Sequence, residues 1–151
     1  MEVRIDDLTG PEVLALLEMH LRSMSETTPP ESMHALGLEA LRKPDVTFYT
    51  AWENGELRGC GALKAMGRLR GEIKSMRTDP RYLRKGVARS VLKTIIAEAR
   101  RRGYHRLYLE TGTQPFYEPA RRLYCSLGFV ACPPFEGYTE DPNSYFMTMK
   151  L

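Results

Sequence analysis

The chain has 151 residues, 42% apolar and 27% charged, the size and balance of one ordinary globular domain, here taken as residues 1–151. That excludes a disordered chain, a fibrous repeat and a disulfide-stapled miniprotein. The net charge of +3 hides a segregation: residues 68–106 carry thirteen Lys and Arg against Glu72, Asp79 and Glu98, a net +10 between two acidic flanks. Such a block attracts a polyanion, whether nucleic acid, an anionic membrane surface or a phosphorylated cofactor. The longest unbroken apolar run, Val13–Leu17, is five residues, far short of the ~20 that span a membrane. The opening MEVRIDD has no signal-peptide pattern. Cys60, Cys125 and Cys132 form an odd set without CxxC spacing, as expected of free thiols in a reducing cytoplasm. No Cys/His/Asp cluster has metal-ligand spacing, so no metal is expected.

Val3–Ile5 reads as a short strand. Gly10-Pro11 opens a helix whose Val13, Leu14, Leu16, Leu17 and Leu21 lie on one stripe. After the Thr27–Pro30 loop, Glu31–Leu41 reads as a second helix. Val46–Trp52, the Asn54-Gly55 turn and Leu57–Met66 read as a β-hairpin. Glu72–Thr78 is the next strand. The helix 86–102 carries apolar residues at 87, 88, 91, 92, 95, 96 and 99 and ends at Gly103. Arg106–Glu110 reads as a strand. Phe116–Leu127 reads as a helix with Phe116, Ala120, Leu123, Tyr124 and Leu127 on one stripe, stopped by Gly128. Phe129–Cys132 and Ser144–Lys150 are the last strands. This order implies an α/β domain, one mixed sheet with helices on both faces.

The strand 72–78, the turn 79–85 and the helix from Gly86 together make an anion site. The first helical N–H groups are unpaired, and the positive end of the helix dipole stands behind them. Arg84, Lys85 and Arg89 add full charges at that mouth. The basic block thereby gains a specific target, a pyrophosphate held on backbone amides.

The stretch from Met76 to Ala88 resembles the acetyl-CoA-binding motif of the GNAT superfamily of N-acetyltransferases, Q/R-x-x-G-x-G/A after a strand. Gly86 and Ala88 fit the pattern, while Leu83 stands at the Q/R position and removes one side-chain contribution. Arg122-Leu-Tyr-Cys-Ser-Leu-Gly-Phe129 is similar to the family's A-x-x-L-Y-x-x-x-G-F helix end. The element order agrees across essentially the whole chain. Gly61–Lys64, Gly71–Thr78, Leu109–Gly112 and Tyr138–Met147 further resemble a small bacterial subgroup, some of whose members carry names from indole-acetate metabolism.

The resemblance implies a six- to seven-stranded, mostly antiparallel sheet with about four helices, and a gap between the strands at 72–78 and 106–110 that holds pantetheine. It implies direct acetyl transfer from acetyl-CoA to an amine, without an acyl-enzyme. Met76, Arg77 and Thr78 would hold the cofactor arm, with the Met76 N–H as oxyanion donor. Arg84, Lys85, Gly86, Val87, Ala88 and Arg89 would hold the pyrophosphate. Tyr124 matches the tyrosine that protonates the departing sulfur, although its place on an apolar stripe also suits a core aromatic. Glu72 is the first candidate for general base, with an ion pair to Lys74 as the structural alternative. Glu110 is the second. His34, Glu110 and Tyr138 are candidates for acceptor binding, whereas His105 reads as surface.

The expected function is thus acetyl transfer to a primary amine of a small molecule. The alternative is a non-catalytic acyl-CoA-binding module. The sequence has no recognition-helix or aromatic-platform motif for nucleic acid, so neither nucleic acid nor membrane is an expected partner. A homodimer is compatible with such folds, but the sequence carries no signature of one.

Overall fold

The protein, described by a computed structural model covering residues 1–151, begins with β1 (Glu2–Ile5). Gly10 caps α1 (Pro11–Thr27), with Pro11 in its first turn, where a missing N–H is harmless. There follow α2 (Leu38–Leu41), β2 (Val46–Glu53), β3 (Glu56–Met66), β4 (Arg70–Thr78), α3 (Val87–Arg101), β5 (Arg106–Gly112), α4 (Glu118–Ser126), β6 (Val130–Ala131) and β7 (Ser144–Lys150). One seven-stranded sheet results, in the order β1-β2-β3-β4-β5-β7-β6. Every neighbouring pair is antiparallel except β4 and β5. That pair is parallel because α3 carries the chain back across the sheet between them.

Alternation along the strands divides the apolar residues between two layers. Tyr49, Ala51, Leu63, Ile73, Leu107 and Leu109 face α3 and α4, meeting Val91, Leu92, Ile95 and Tyr124 in the larger core. Phe48, Cys60 and Ala62 face the other way, against Val13, Leu16 and Leu17 of α1 and Leu41 of α2. Close approach of α3 requires glycine at position 61. A Cβ there would run into Met76 and Val91.

Two expectations need correction. The helix expected over Glu31–Leu41 is instead a 3-10 turn at Pro30–Ser32, an irregular stretch, and the single turn of α2. Gly37 disfavours a continuous helix, and Ser32 Oγ is drawn away to Asp141 Oδ2 (2.6 Å), 109 residues on in the chain. Phe116 is not on a buried stripe. It is 54% exposed, because the chain enters α4 through a 3-10 turn at Pro115–Tyr117. No helix is long and apolar enough to cross a membrane.

Candidate active site

β4 and β5 pair from Arg70↔Arg106 to Ile73↔Leu109 and then part, although β4 continues to Thr78 and β5 to Gly112. Beyond Ile73, β4 keeps β3 along one edge and has no strand along the other. Its outward N–H and C=O groups there are open to a ligand.

A bulge sits at this parting. Ser75 adopts φ 54°, and the β3–β4 register slips opposite Gly61. Simple alternation would put Glu72, Lys74 and Met76 on one face of the strand. The bulge overturns this: Glu72 and Lys74 stand on the α1 side, and Met76 packs against the α3 core. Cys60 donates its thiol to the Ser75 carbonyl at 3.3 Å. Burial pushes this thiol up to about 12, so it is no nucleophile at neutral pH. All three cysteines are unpaired, as expected.

The gap opens into a cleft lined from the α4 side by Ala120 and Tyr124, and from the opposite side by His34, Glu72, Lys74 and Glu110. Tyr124 is 6% exposed, and its ring packs edge-on to Phe129. Burial pushes its phenol above the ordinary tyrosine range. The hydroxyl makes no hydrogen bond within the chain, so its position on a core stripe and its reach into the cleft coexist.

The α1-side wall is a polar network. Lys74 Nζ donates to the His34 carbonyl (3.1 Å), to Glu72 Oε2 (3.3 Å) and to the Tyr138 hydroxyl (2.7 Å). The Tyr138 hydroxyl in turn donates to Glu72 Oε2 at 2.7 Å. Its phenol is pushed up by burial first and by the adjacent Glu72 charge second. The Glu72–Lys74 ion pair offered as the structural alternative is therefore present. Glu110 Oε2 contacts His34 Nδ1 at 2.6 Å and accepts from Ser144 Oγ at 2.6 Å. The irregular chain at His34 makes this possible, since a helical carbonyl would bond to its own helix rather than to Lys74.

The roof is tied at two points. The Tyr117 hydroxyl bonds to Thr27 and Thr28 at the end of α1, and Ser32 bonds to Asp141 and Asn143. His20, also lining the cleft, is pushed down to about 4 by burial first and by Arg77 second.

At the other end, Gly86 caps α3 with φ 81°, a left-handed conformation that disfavours any Cβ. Arg84 (φ 61°) is also left-handed. Arg84, Lys85 and Gly86 are exposed, as is Leu83 at the departed motif position. The Val87 side chain is buried in the core, so only its main chain can meet a ligand. Arg89 reaches Ser126 on α4 at 3.0 Å. The Arg77 side chain lies on the α1 face near His20 and Cys60, with a buried unpartnered Nε. His105 is exposed, as expected. Ser75, Ser144 and the Tyr117 tie were not anticipated, since no local pattern marks a serine that bulges or a residue that braces another.

These features define an acyltransferase-like splayed sheet. The family model for the acetyltransferase (GNAT) family matches residues 13–129, and the chain belongs to that family. It is 60% identical over 151 residues, the full length of both chains, to the uncharacterized N-acetyltransferase YsnE of Bacillus subtilis. It is 38% identical to an IAA acetyltransferase of Azospirillum brasilense, over 92% of this chain and 90% of the other. The fold agrees with that of a GNAT family acetyltransferase from Elizabethkingia anophelis solved with acetyl-CoA bound (TM-score 0.72, 21% identity, 99% and 97% of the two chains). The protein is an N-acetyltransferase.

Proposed function

We propose that the protein moves the acetyl group of acetyl-CoA to a primary amine of a small molecule, by direct attack in a ternary complex. The observation carrying this reading is the parted strand pair with the Tyr124 hydroxyl on one side and a carboxylate-rich wall on the other. Pantetheine lies along the open edge of β4, on main-chain groups of Met76 and Thr78, beside Arg77. The pyrophosphate sits on the amides from Gly86 through Val87 and Ala88 to Arg89, with Arg84, Lys85 and Arg89 supplying charge.

The Met76 N–H donates to the oxyanion, and one such donor is worth roughly 2.7–4 kcal/mol where tested in other enzymes. Tyr124 gives its proton to the departing sulfur. Burial keeps the phenol protonated, and the same dry gap raises the thiol that forms, so donor and acceptor stay matched. The acceptor enters from the α1 side, between His34, Glu110 and Tyr138, where Glu72 and Glu110 favour a cationic amine. The tied roof suits a small molecule better than a protein chain.

The test is thiol release from acetyl-CoA over a panel of primary amines. Release with a subset of them supports the reading. Acetyl-CoA binding in calorimetry with no release across the panel overturns the small-amine acceptor.

A further inference from the structure

We infer that His34 accepts the proton of the attacking amine and that Glu110 is its positioning residue; this rests on the reaction proposed above and names its base. A carboxylate can only accept, so the 2.6 Å contact with Glu110 Oε2 places the imidazole proton on Nδ1 and leaves the Nε2 lone pair free. Nε2 makes no hydrogen bond within the chain, and the His34 side chain is 32% exposed at the cleft.

The residue is held at three points, two of them on the ring. Glu110 grips Nδ1, Lys74 holds the main-chain carbonyl at 3.1 Å, and Tyr138 packs edge-on with centroids 5.1 Å apart. Glu110 is itself braced by Ser144 Oγ and is 12% exposed. A nucleophile's base, an orienting carboxylate and a brace for that carboxylate thus stand in line.

Glu72 is placed differently. Its Oε2 already takes hydrogen bonds from Tyr138 and Lys74. The ionisable groups around the His34 ring are Glu110 from β5, Glu72 and Lys74 from β4, and Tyr138 and Asp141 from the loop before β7. Of the three carboxylates, Glu110 is the one that touches the ring, while Glu72 and Lys74 are paired with each other.

In the step itself, the ammonium bound between the carboxylates first loses a proton to water. The neutral amine's lone pair then forms the C–N bond at the thioester carbon, and its excess N–H proton passes to Nε2. The C–S bond breaks with its electron pair on sulfur, which takes the Tyr124 proton. Nε2 then releases its proton to water at the exposed edge, and the Tyr124 phenolate takes one back from water as products leave, so that the enzyme gains or loses no net proton.

The experiment compares wild type, His34→Gln and Glu72→Gln with acetyl-CoA and a primary amine that supports thiol release. His34→Gln is expected to lose roughly 10²–10⁴-fold in kcat and the acidic limb of the pH–rate profile, with acetyl-CoA affinity unchanged in calorimetry. Glu72→Gln is expected to retain that limb. Nitrogen-15 spectra of histidine-labelled protein read the tautomer without any acceptor: His34 protonated on Nδ1 in wild type, shifting toward Nε2 in Glu110→Ala. A wild type that binds acetyl-CoA but turns over no amine removes the reaction and this role together. Near-wild-type turnover with the acidic limb intact in His34→Gln, or an Nε2–H tautomer in wild type, overturns the role alone.

Discussion

Lys74 Nζ lies 3.3 Å from Glu72 Oε2 on the same face of β4, and each is 2.7 Å from the Tyr138 hydroxyl. Both charges are almost fully buried, with 9% and 5% of their side chains exposed. A pair this dry is costly to break from one side, because the remaining charge stays in low dielectric without compensation.

Glu72→Gln is therefore expected to destabilise the fold by about 3–5 kcal/mol, the range for removing one partner of a buried pair. The double variant Glu72→Gln/Lys74→Met leaves no orphan charge and should recover part of that loss. Urea unfolding of the three proteins checks both statements. Equal stability of wild type and Glu72→Gln would show that water screens the pair.

Tyr124→Phe removes a hydroxyl that makes no bond within the chain and leaves the edge-on packing on Phe129 untouched. Stability and acetyl-CoA affinity should hold, while turnover falls by roughly 10²-fold or more if the phenol is the acid. Steady-state kinetics under conditions where chemistry limits the rate, with calorimetry alongside, makes the separation. Unchanged turnover would return Tyr124 to a packing role.

The backbone frame of the site was legible in the sequence, and its side-chain wiring was not. Gly86 before an apolar stripe, and Gly128-Phe129 after Tyr124, announce where a helix must begin and end, so the anion mouth and the tyrosine could be placed. The carboxylates were legible as β-strand residues because Glu72 and Glu110 alternate with Ile73 and Leu109, which face the α3 core. The position of Met76 was not, because Ser75 takes a left-handed φ that only glycine, Asn or Asp would advertise. His34 could be named but not oriented. Its ring partner, Glu110, is 76 residues away, and its carbonyl is free only because a helical pattern gives way to irregular chain around Gly37.

Gly86 offers a test of the pyrophosphate mouth. A Cβ there would meet nothing within 4 Å, so Gly86→Ala adds only the left-handed strain, about 1–2 kcal/mol. Gly86→Glu adds the same strain plus bulk and negative charge at the proposed pyrophosphate mouth. It should weaken acetyl-CoA much more than alanine does, most of all at low salt, where screening is least. Calorimetric titration at two ionic strengths measures this. Equal dissociation constants for the two variants would move the pyrophosphate elsewhere.

His20 supplies a pH-dependent test of the cleft's interior. Its folded-state pKa is pushed down to about 4 from the ordinary 6.5, by burial first and by the Arg77 charge second. Between those values the unfolded chain binds a proton that the folded chain refuses, so stability rises with pH across this window and is level above it. At one pKa unit per 1.36 kcal/mol, the swing from this group is of order 3 kcal/mol. His20→Gln cannot titrate and should flatten the curve between about pH 4 and 6.5, whatever it does to stability at neutral pH. Urea unfolding at matched pH values for both proteins gives the slopes. Parallel slopes would mean that His20 is protonated in the folded protein, and that the unpartnered Nδ1 beside the cleft reaches water.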